Sequence, residues 1–177
     1  MKQFLLYIWE ILELVVIAGL TVFVIRTFFA QPFLVSGASM STNFNGGDYL
    51  VVDEITYQFQ QPQRSDVIVF RYPIEPKTFY IKRIIGLPGE HVEVKNSEVF
   101  INSSKLEEKY LDEDVRTSGD VDVVLESNEY FVIGDNRYHS YDSRNWGPVP
   151  GKNIIGLARV RLFPFNNIGV LRRPAYD

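Results

Sequence analysis

Lys82 is the residue whose setting most suggests chemistry. It lies within the apolar run Phe79–Ile85, whose pattern predicts a half-buried strand. A buried lysine loses its charge more readily than an exposed one, and a neutral amine is a base. A free lysine is neutral only about 0.04% of the time at pH 7, so burial has to lower its pKa by roughly 2 units. Taken alone, the stretch favours a lysine whose amine extends to solvent beside Arg83.

A candidate nucleophile lies further upstream. Small residues occupy positions 36–41 directly after an apolar strand, with the sequence Ser-Gly-Ala-Ser-Met-Ser. A tight turn of this kind can present the Ser39 hydroxyl beside free backbone N–H groups, which is the geometry of an oxyanion hole. Small residues after a strand are more often a simple turn. If Lys82 is near, however, Ser39 can act as a nucleophile with Lys82 as its general base.

A loop rich in hydrogen-bonding side chains occupies residues 134–147 and follows another apolar strand. Asp142 and Arg144 can form a bidentate ion pair that fixes this loop. His139 offers a second mechanism, in which the histidine is the base for the serine and either Asp135 or Asp142 orients it. The residues themselves leave the lysine and histidine mechanisms open.

The composition excludes several functional classes. The chain has 177 residues, enough for one domain with a core, and its formal net charge of −4 gives no basic surface for nucleic acid. It has no cysteine, which rules out disulfides, thiolate metal sites and a cysteine nucleophile. Its two histidines, His91 and His139, lack metal-ligand spacing. We expect no metal or other cofactor.

The amino-terminal part has the composition of a membrane anchor. Residues 11–29 contain only two charged residues, and nineteen helical residues would extend about 28 Å, close to the roughly 30 Å thickness of a bilayer core. A cleaved signal peptide is the alternative, because the uncharged core 14–25 is short, but residues 27–32 show no small-x-small cleavage pattern. We therefore predict a transmembrane anchor at 11–29 after a short segment at 1–10. Basic residues leave its orientation undecided.

The rest of the chain, residues 33–177, predicts a mainly β domain. Short apolar runs are separated by turns rich in glycine, proline and asparagine, which is typical of antiparallel strands. Residues 103–120 are polar and acidic, so we expect an exposed insert there with a short helix at most. The predicted strands are 33–35, 49–52, 67–70, 80–85, 91–94, 99–102, 121–125, 130–133 and 154–162.

Taken together, these stretches resemble the type I bacterial signal peptidases, the Ser-Lys endopeptidases that remove signal peptides from exported proteins. The single anchor and short insert are similar to the compact Gram-positive form. Motifs at six places carry the resemblance, in the family's order: Ser-Gly-Ala-Ser-Met (36–40), Gly-Asp-Tyr-Leu-Val-Val (47–52), Ser-Asp-Val-Ile-Val-Phe (65–70), Tyr-Ile-Lys-Arg-Ile-Ile-Gly-Leu-Pro-Gly-Glu (80–90), Gly-Asp-Asn-Arg (134–137), and Ser140 with Asp-Ser-Arg (142–144) and Trp-Gly (146–147).

The resemblance implies a role for each matching residue. It makes Ser39 the nucleophile, whose backbone N–H also supplies an oxyanion donor, and Lys82 the general base. Ser140 is then the hydroxyl that orients the lysine amine. Asp142 and Arg144 fall where the family holds this loop with an ion pair.

Further expectations follow from the same resemblance. It implies an antiparallel β core with a small insert near 95–128, an amino terminus in the cytoplasm and a catalytic domain outside the cell membrane. The expected partners are membrane lipid and signal peptides with small residues at the first and third positions before the cut. His139 becomes a bystander, and we expect Arg83 to face solvent. Gly37 stands where some relatives add a serine hydroxyl as a second oxyanion donor.

One stretch departs from the family pattern. The family usually follows its Ser-Met pair with x-Pro-Thr-Leu, whereas this chain has Ser-Thr-Asn-Phe at 41–44. Loss of the proline is expected to loosen the turn behind Ser39, and Phe44 changes the packing there. The departure leaves an alternative open: a signal-peptidase-like accessory factor for surface-fibre (pilus) assembly with little or no proteolysis.

Overall fold

The protein consists of a long amino-terminal helix followed by two antiparallel β-sheets, which confirms the predicted mainly β class. The computed structural model describes residues 2–28, 30–41, 43–171 and 173–174, with the backbone alone at 2, 5, 23–28 and 30. The elements are α1 (Lys2–Phe28), β1 (Ala30–Leu34), β2 (Tyr49–Asp53), α2 (Thr56–Phe59), β3 (Val67–Arg71), β4 (Phe79–Gly86), β5 (His91–Lys95), β6 (Glu98–Ile101), β7 (Ser104–Lys105), β8 (Val121–Val124), β9 (Glu129–Ile133), α3 (Ser143–Trp146), β10 (Val149–Pro150) and β11 (Ile154–Phe163), then β12 (Gly169–Val170), with 3-10 turns at Gly151–Asn153 and Phe165–Asn167.

The larger sheet leaves two strand edges unpaired. Its strands follow the order β1-β2-β11-β3-β4-β9-β10, with β12 added to β11. Strand β4 pairs with β3 from Phe79 to Arg83, but its pairing with β9 begins only at Arg83. Strand β1 pairs with β2. Within the described residues, the first half of β4 and one side of β1 therefore have free backbone edges.

The smaller sheet has the order β7-β6-β5-β8 and packs on the far ends of β4 and β9. Their shared core is made of branched aliphatic side chains and Phe131. Gly86 is required at this contact, because a Cβ there would lie 2.5 Å from a methyl group of Val92. The stretch 103–120 contains β7 and turns but no helix in the described structure.

A second core cluster lies behind the serine-rich turn. Met40 and Phe44 are 1% and 3% exposed and pack with Leu50 and Val67. The guanidinium of Arg161 lies over the Phe44 ring at 5.2 Å. The phenylalanine that departs from the family pattern is thus a core residue, so the segment after Ser39 is held by packing.

Helix α1 has exposed side chains wherever they are described. Among the described residues, no helix is both long and apolar enough to cross a membrane. The predicted span 11–29 includes Phe29, which lies outside the described residues, as do the side chains of 23–28.

Candidate active site

The hydroxyl of Ser39 and the amine of Lys82 are in direct contact. Lys82 Nζ donates a hydrogen bond to Ser39 Oγ over 2.6 Å, although the two residues are 43 positions apart. Lys82 is the last residue on the free edge of β4, and the turn after β1 carries Ser39 to the same place. A hydroxyl at this distance can pass its proton to an amine, provided that the amine is neutral.

Burial increases the fraction of Lys82 whose amine is neutral. Lys82 is only 3% exposed. The loss of solvation lowers its pKa from 10.5 to about 8, against the opposing charges of Asp142 and Asp135. With a pKa of about 8, roughly a tenth of the lysine is neutral at pH 7, which is more than a hundred times the fraction of a free lysine. The shift has the direction that a general base requires.

Two further groups surround the amine. The Ile81 carbonyl accepts a second hydrogen bond from Lys82 Nζ at 3.0 Å, and the Tyr80 ring centroid lies 5.3 Å from the same nitrogen. Ser140, the expected orienting hydroxyl, is not hydrogen bonded to Lys82. Its Oγ is buried and has no hydrogen-bond partner in the described chain.

The backbone around Ser39 is fixed from both sides. Gly37 has a φ of +83°, a left-handed conformation that favours glycine and shapes the turn before the serine. The Asn136 backbone N–H donates to the Ser39 carbonyl, and its side-chain amide donates to the Ala38 carbonyl, both at 3.0 Å. The Ser39 N–H donates to no group in the described residues. The Ser39 N–H is therefore available to stabilise an oxyanion. Asn136 is a positioning residue, which the sequence did not single out.

Arg83 is buried, so the expectation that it faces solvent was wrong. It is 4% exposed, and its guanidinium forms a bidentate pair with Asp135 at 2.6 and 2.8 Å. A third donor reaches the Ser65 carbonyl at 2.9 Å. Alternation correctly put Arg83 on the face opposite Lys82, but that face is also covered, with the Tyr110 ring centroid 4.1 Å from the guanidinium carbon.

Asn43 replaces the family's threonine and joins this network. Its side-chain amide donates to Asp135 Oδ2 at 2.9 Å and to the Tyr110 carbonyl at 3.2 Å. It thereby connects the segment after Ser39 to the loop of residues 103–120. The sequence marked Asn43 only as a departure, because its partners are 92 and 67 positions away.

The loop 134–147 organises itself, as the bidentate pairing of Asp142 and Arg144 shows. The Arg144 Nε and Nη2 atoms each lie 2.8 Å from an oxygen of Asp142. Asp142 also caps α3 and accepts a hydrogen bond from the Gly134 N–H at 3.1 Å. Gly134 has no room for a side chain, since a Cβ would lie 2.2 Å from Ser140 Oγ and 2.4 Å from the Ser39 carbonyl oxygen.

His139 lies at the rim of the same region and has no acidic partner among the residues that the structure describes. It is exposed, and its described contacts are with Asn136, including Nδ1 to Oδ1 at 3.3 Å. Asp135 is paired with Arg83, and Asp142 with Arg144. The geometry of a Ser-His-Asp triad is absent from the described residues.

Ser39 and Lys82 lie in a groove with a volume of about 330 Å³. Its walls come from β1 and the turn after it on one side and from the first half of β4 on the other, so both free strand edges adjoin it. The walls are mostly apolar, and His139 and Tyr141 stand at the rim. The lining residues are Phe33, Leu34, Val35, Ser36, Gly37, Ala38, Ser39, Leu50, Val69, Phe79, Tyr80, Ile81, Lys82, His139 and Tyr141.

One cluster of possible metal ligands occurs in the described part of the chain, on the smaller sheet. Ligand atoms of His91, Glu93 and Asp122 lie within 4.8 Å of one another. These groups already have partners: His91 Nε2 is 2.7 Å from Asp122, and Lys95 Nζ is 2.5 Å from Glu93. The cluster joins β5 to β8 and belongs to a different sheet from Lys82.

A serine hydroxyl bonded to a buried amine, beside a groove with free strand edges, suits an endopeptidase that uses serine as nucleophile and an amine as base. The family model described as "Signal peptidase, peptidase S26" matches residues 8–163. The chain therefore belongs to the signal peptidase family, peptidase S26, whose members are serine endopeptidases.

Two relatives found by sequence agree with this assignment. A protein named signal peptidase I from Leptolyngbya laminosa is 41% identical over 85% of this chain and 77% of its own length. Signal peptidase I P from Bacillus subtilis subsp. natto is 35% identical over 89% of this chain and 90% of its own length. A solved structure of a signal peptidase I from Enterococcus faecalis is 32% identical, with a TM-score of 0.49, and the match covers 55% of this chain and 97% of that chain.

Proposed function

We propose that this protein cleaves the signal peptides of exported preproteins, with Ser39 and Lys82 as the catalytic dyad. The observation that carries the proposal is the 2.6 Å hydrogen bond between Lys82 Nζ and Ser39 Oγ at a buried site. The relatives named signal peptidase I support the choice of substrate. The accessory role in pilus assembly is disfavoured, because both groups that proteolysis requires are present and in contact.

The reaction begins with transfer of the Ser39 proton to neutral Lys82. Ser39 Oγ then attacks the carbonyl carbon of the scissile bond, and the Ser39 N–H stabilises the resulting oxyanion. The protonated Lys82 donates its proton to the leaving amine, which departs as the new amino terminus and leaves an acyl-enzyme. Lys82, neutral again, takes a proton from water as the water oxygen attacks the acyl carbon. The bond between Ser39 Oγ and that carbon then breaks, and Lys82 returns the proton to Ser39 Oγ, which frees the peptide as a carboxylic acid.

The free strand edges provide a binding mode for the substrate. An extended peptide between β1 and β4 can form backbone hydrogen bonds to both edges, as in strand addition. Alternating side chains of the peptide then face the groove walls. The groove lining next to Ser39 includes Ser36–Ala38 and Ile81. Small residues are proposed at the first and third positions before the cut, where the peptide lies beside these groups.

Other predicted residues support the dyad. Ser140 is proposed as a second hydrogen-bond partner of the lysine amine, since its buried Oγ lies beside Gly134 and has no partner in the described structure. The Asp142–Arg144 pair holds the loop that carries Ser140. His139 has no catalytic role in this scheme.

The remaining proposals concern location. Residues 11–29 are proposed to anchor the protein in the cell membrane, with 1–10 in the cytoplasm and the catalytic domain 33–177, including an insert at 95–128, outside. The apolar sequence and the exposed side chains of α1 support an anchor. Exposed rings at Phe163 and Phe165 support contact of the catalytic domain with lipid.

A preprotein cleavage assay tests this function. Detergent-solubilised wild-type protein is expected to release the mature protein from a preprotein with alanine at the first and third positions before the cut. Ser39→Ala and Lys82→Ala are expected to leave it intact. Absence of wild-type cleavage, under conditions where another signal peptidase cuts the same preprotein, would instead support the accessory role.

A further inference from the structure

The groove ends at a contact between two aromatic rings. Phe33 on β1 and Phe79 on β4 meet edge to face, with ring centroids 5.8 Å apart. Arg71, which lies opposite Phe79 on β3, places its guanidinium 5.0 Å from the Phe79 ring. The two rings therefore join β1 to β4 at the end of the groove remote from Ser39.

A second cavity, of about 360 Å³, begins on the other side of these rings. Phe79 lines both spaces. Strand β1 also contributes to both, because it places Phe33 in the groove and Gln31, two residues earlier on the same face, in the cavity. The cavity is lined by Gln31, Glu54, Gln58, Arg71, Phe79, Ile154 and Ile155.

The polar groups of this cavity include an unused acceptor. Glu54 Oε1 is buried and has no hydrogen-bond partner among the described residues. Burial raises the pKa of Glu54, and the charge of Arg71 opposes this shift. A buried oxygen without a partner is unfavourable, so a donor supplied by a ligand would be stabilised there. Two carboxamides, Gln31 and Gln58, add further donors and acceptors.

The position of the catalytic pair sets the direction of the peptide. Because successive strands from β1 to β4 are antiparallel in the order β1-β2-β11-β3-β4, β1 and β4 run the same way. Ser39 and Lys82 lie at the carboxyl ends of their free edges. A peptide segment that pairs with these edges therefore extends back along both strands, toward Phe33, Phe79 and the cavity, and in the binding mode proposed above this is the segment before the cut.

We propose that the peptide-binding groove continues past Phe33 and Phe79 into this cavity, which binds a polar, uncharged side chain of the substrate. At about 3.3 Å per residue along the strands, that side chain belongs to a residue about five or six positions before the scissile bond. Arg71 and Glu54 give the cavity charges of both signs, so an ionic side chain is attracted to one and repelled by the other, whereas a carboxamide or hydroxyl can hydrogen bond with both. This inference rests on the proposed function for the identity of the peptide.

Peptide binding to the full-length Ser39→Ala protein tests the cavity without cleavage. Fluorescent peptides share one sequence around the cut and carry either glutamine or leucine at the fifth and sixth positions before it. A hydrogen bond to a charged acceptor corresponds to about a tenfold difference in Kd, so the glutamine peptide is expected to bind about tenfold more tightly. Adding Glu54→Leu is expected to abolish the preference, whereas the matched surface change Glu126→Leu retains it.

Equal Kd values for the two peptides, or a glutamine preference that survives Glu54→Leu, would overturn the proposal. A third peptide, which begins three residues before the cut, separates this result from the proposed function. If wild-type protein cleaves this short peptide and Ser39→Ala does not, the peptidase assignment holds whatever the cavity binds. If wild-type protein cleaves neither this peptide nor a preprotein but the glutamine preference is seen, the cavity is supported and the dyad is not.

Discussion

Each face of strand β4 carries a buried cation, and the two cations have different partners. On the groove face, Lys82 contacts a neutral hydroxyl and a carbonyl, and in the described part of the chain no carboxylate lies within ion-pair distance of its amine. On the other face, Arg83 is equally buried but forms a bidentate pair with Asp135. The residues are adjacent in sequence and differ in exposure by one percentage point, 3% against 4%.

The difference shows that burial yields a base only where the cation can lose its proton and is not paired with a carboxylate. Desolvation disfavours the charged form of Lys82 and lowers its pKa to about 8, although the charges of Asp142 and Asp135 oppose this shift. The Asp135 carboxylate compensates the charge of Arg83, so this pair is structural. One strand thus supplies a base to the groove and an ion pair to the support behind it.

Exchanging the type of cation at each position gives the largest expected effect. Lys82→Arg keeps the charge but introduces a guanidinium that cannot be deprotonated, so kcat/KM for preprotein cleavage is expected to fall about 10²–10⁴-fold. Arg83→Lys is the matched control, because it keeps a cation next to Asp135, and it is expected to retain at least a tenth of the activity. Comparable losses in the two variants would contradict the comparison.

Removing the guanidinium of Arg83, behind the groove, is expected to lower the unfolding free energy of the protein. Arg83→Met leaves Asp135 buried and unpaired, which costs about 3–5 kcal/mol of unfolding free energy. Urea denaturation monitored by tryptophan fluorescence measures the loss. A change below about 1 kcal/mol would show that the Arg83–Asp135 pair is not needed to hold the site.

Substitution of Lys82 by methionine is expected to have the opposite effect on the unfolding free energy. Lys82→Met removes a desolvated cation, so it should raise the unfolding free energy by about 2 kcal/mol at pH 7. The folded pKa of Lys82 is lowered, so the unfolded wild-type chain binds more protons between about pH 8 and pH 10.5. Wild-type stability therefore rises through that window, and the advantage of the variant disappears near pH 10.5. Denaturation curves at pH 7 and pH 10 decide this, and a destabilised variant at pH 7 would refute it.

The smallest effect is expected at the rim of the groove. His139 is exposed and contacts no acidic group in the described part of the chain, so His139→Ala should change kcat/KM by less than about twofold. Asn136→Ala is the contrasting variant, since it removes one of the two hydrogen bonds that fix the backbone at Ala38 and Ser39. It should reduce kcat by about three- to tenfold. A larger loss in His139→Ala than in Asn136→Ala would reopen the histidine mechanism.

The contrast on β4 also shows which features of the site can be predicted from the sequence. The apolar run around Lys82 predicted its strand, but the burial of Lys82 was expected only once Ser39 and the loop 134–147 were considered beside it. Alternation also put Arg83 on the opposite face. It could not reveal that this second face is covered by Tyr110, whose loop was expected to be exposed.

Long-range polar contacts could not be predicted from the sequence either. Asn43 and Asn136 fix the segment around Ser39 through partners about 70 to 100 positions away, and no local pattern marks such pairs. The two-residue strands β7, β10 and β12 were missed for a related reason, since neighbouring strands define them rather than their own composition. The mainly β class and the principal strands were predicted because turn residues and apolar alternation are local signals.

The pH dependence of kcat/KM for cleavage of a preprotein by the wild-type protein tests the central claim most directly. If Lys82 is the base, activity rises with pH through an apparent pKa near 8, where the buried amine loses its proton. This limb should be unchanged in His139→Ala. A limb near the ordinary pKa of lysine, about 10.4, or one near 6.5 that disappears in His139→Ala, would contradict the assignment of Lys82 as a buried neutral base.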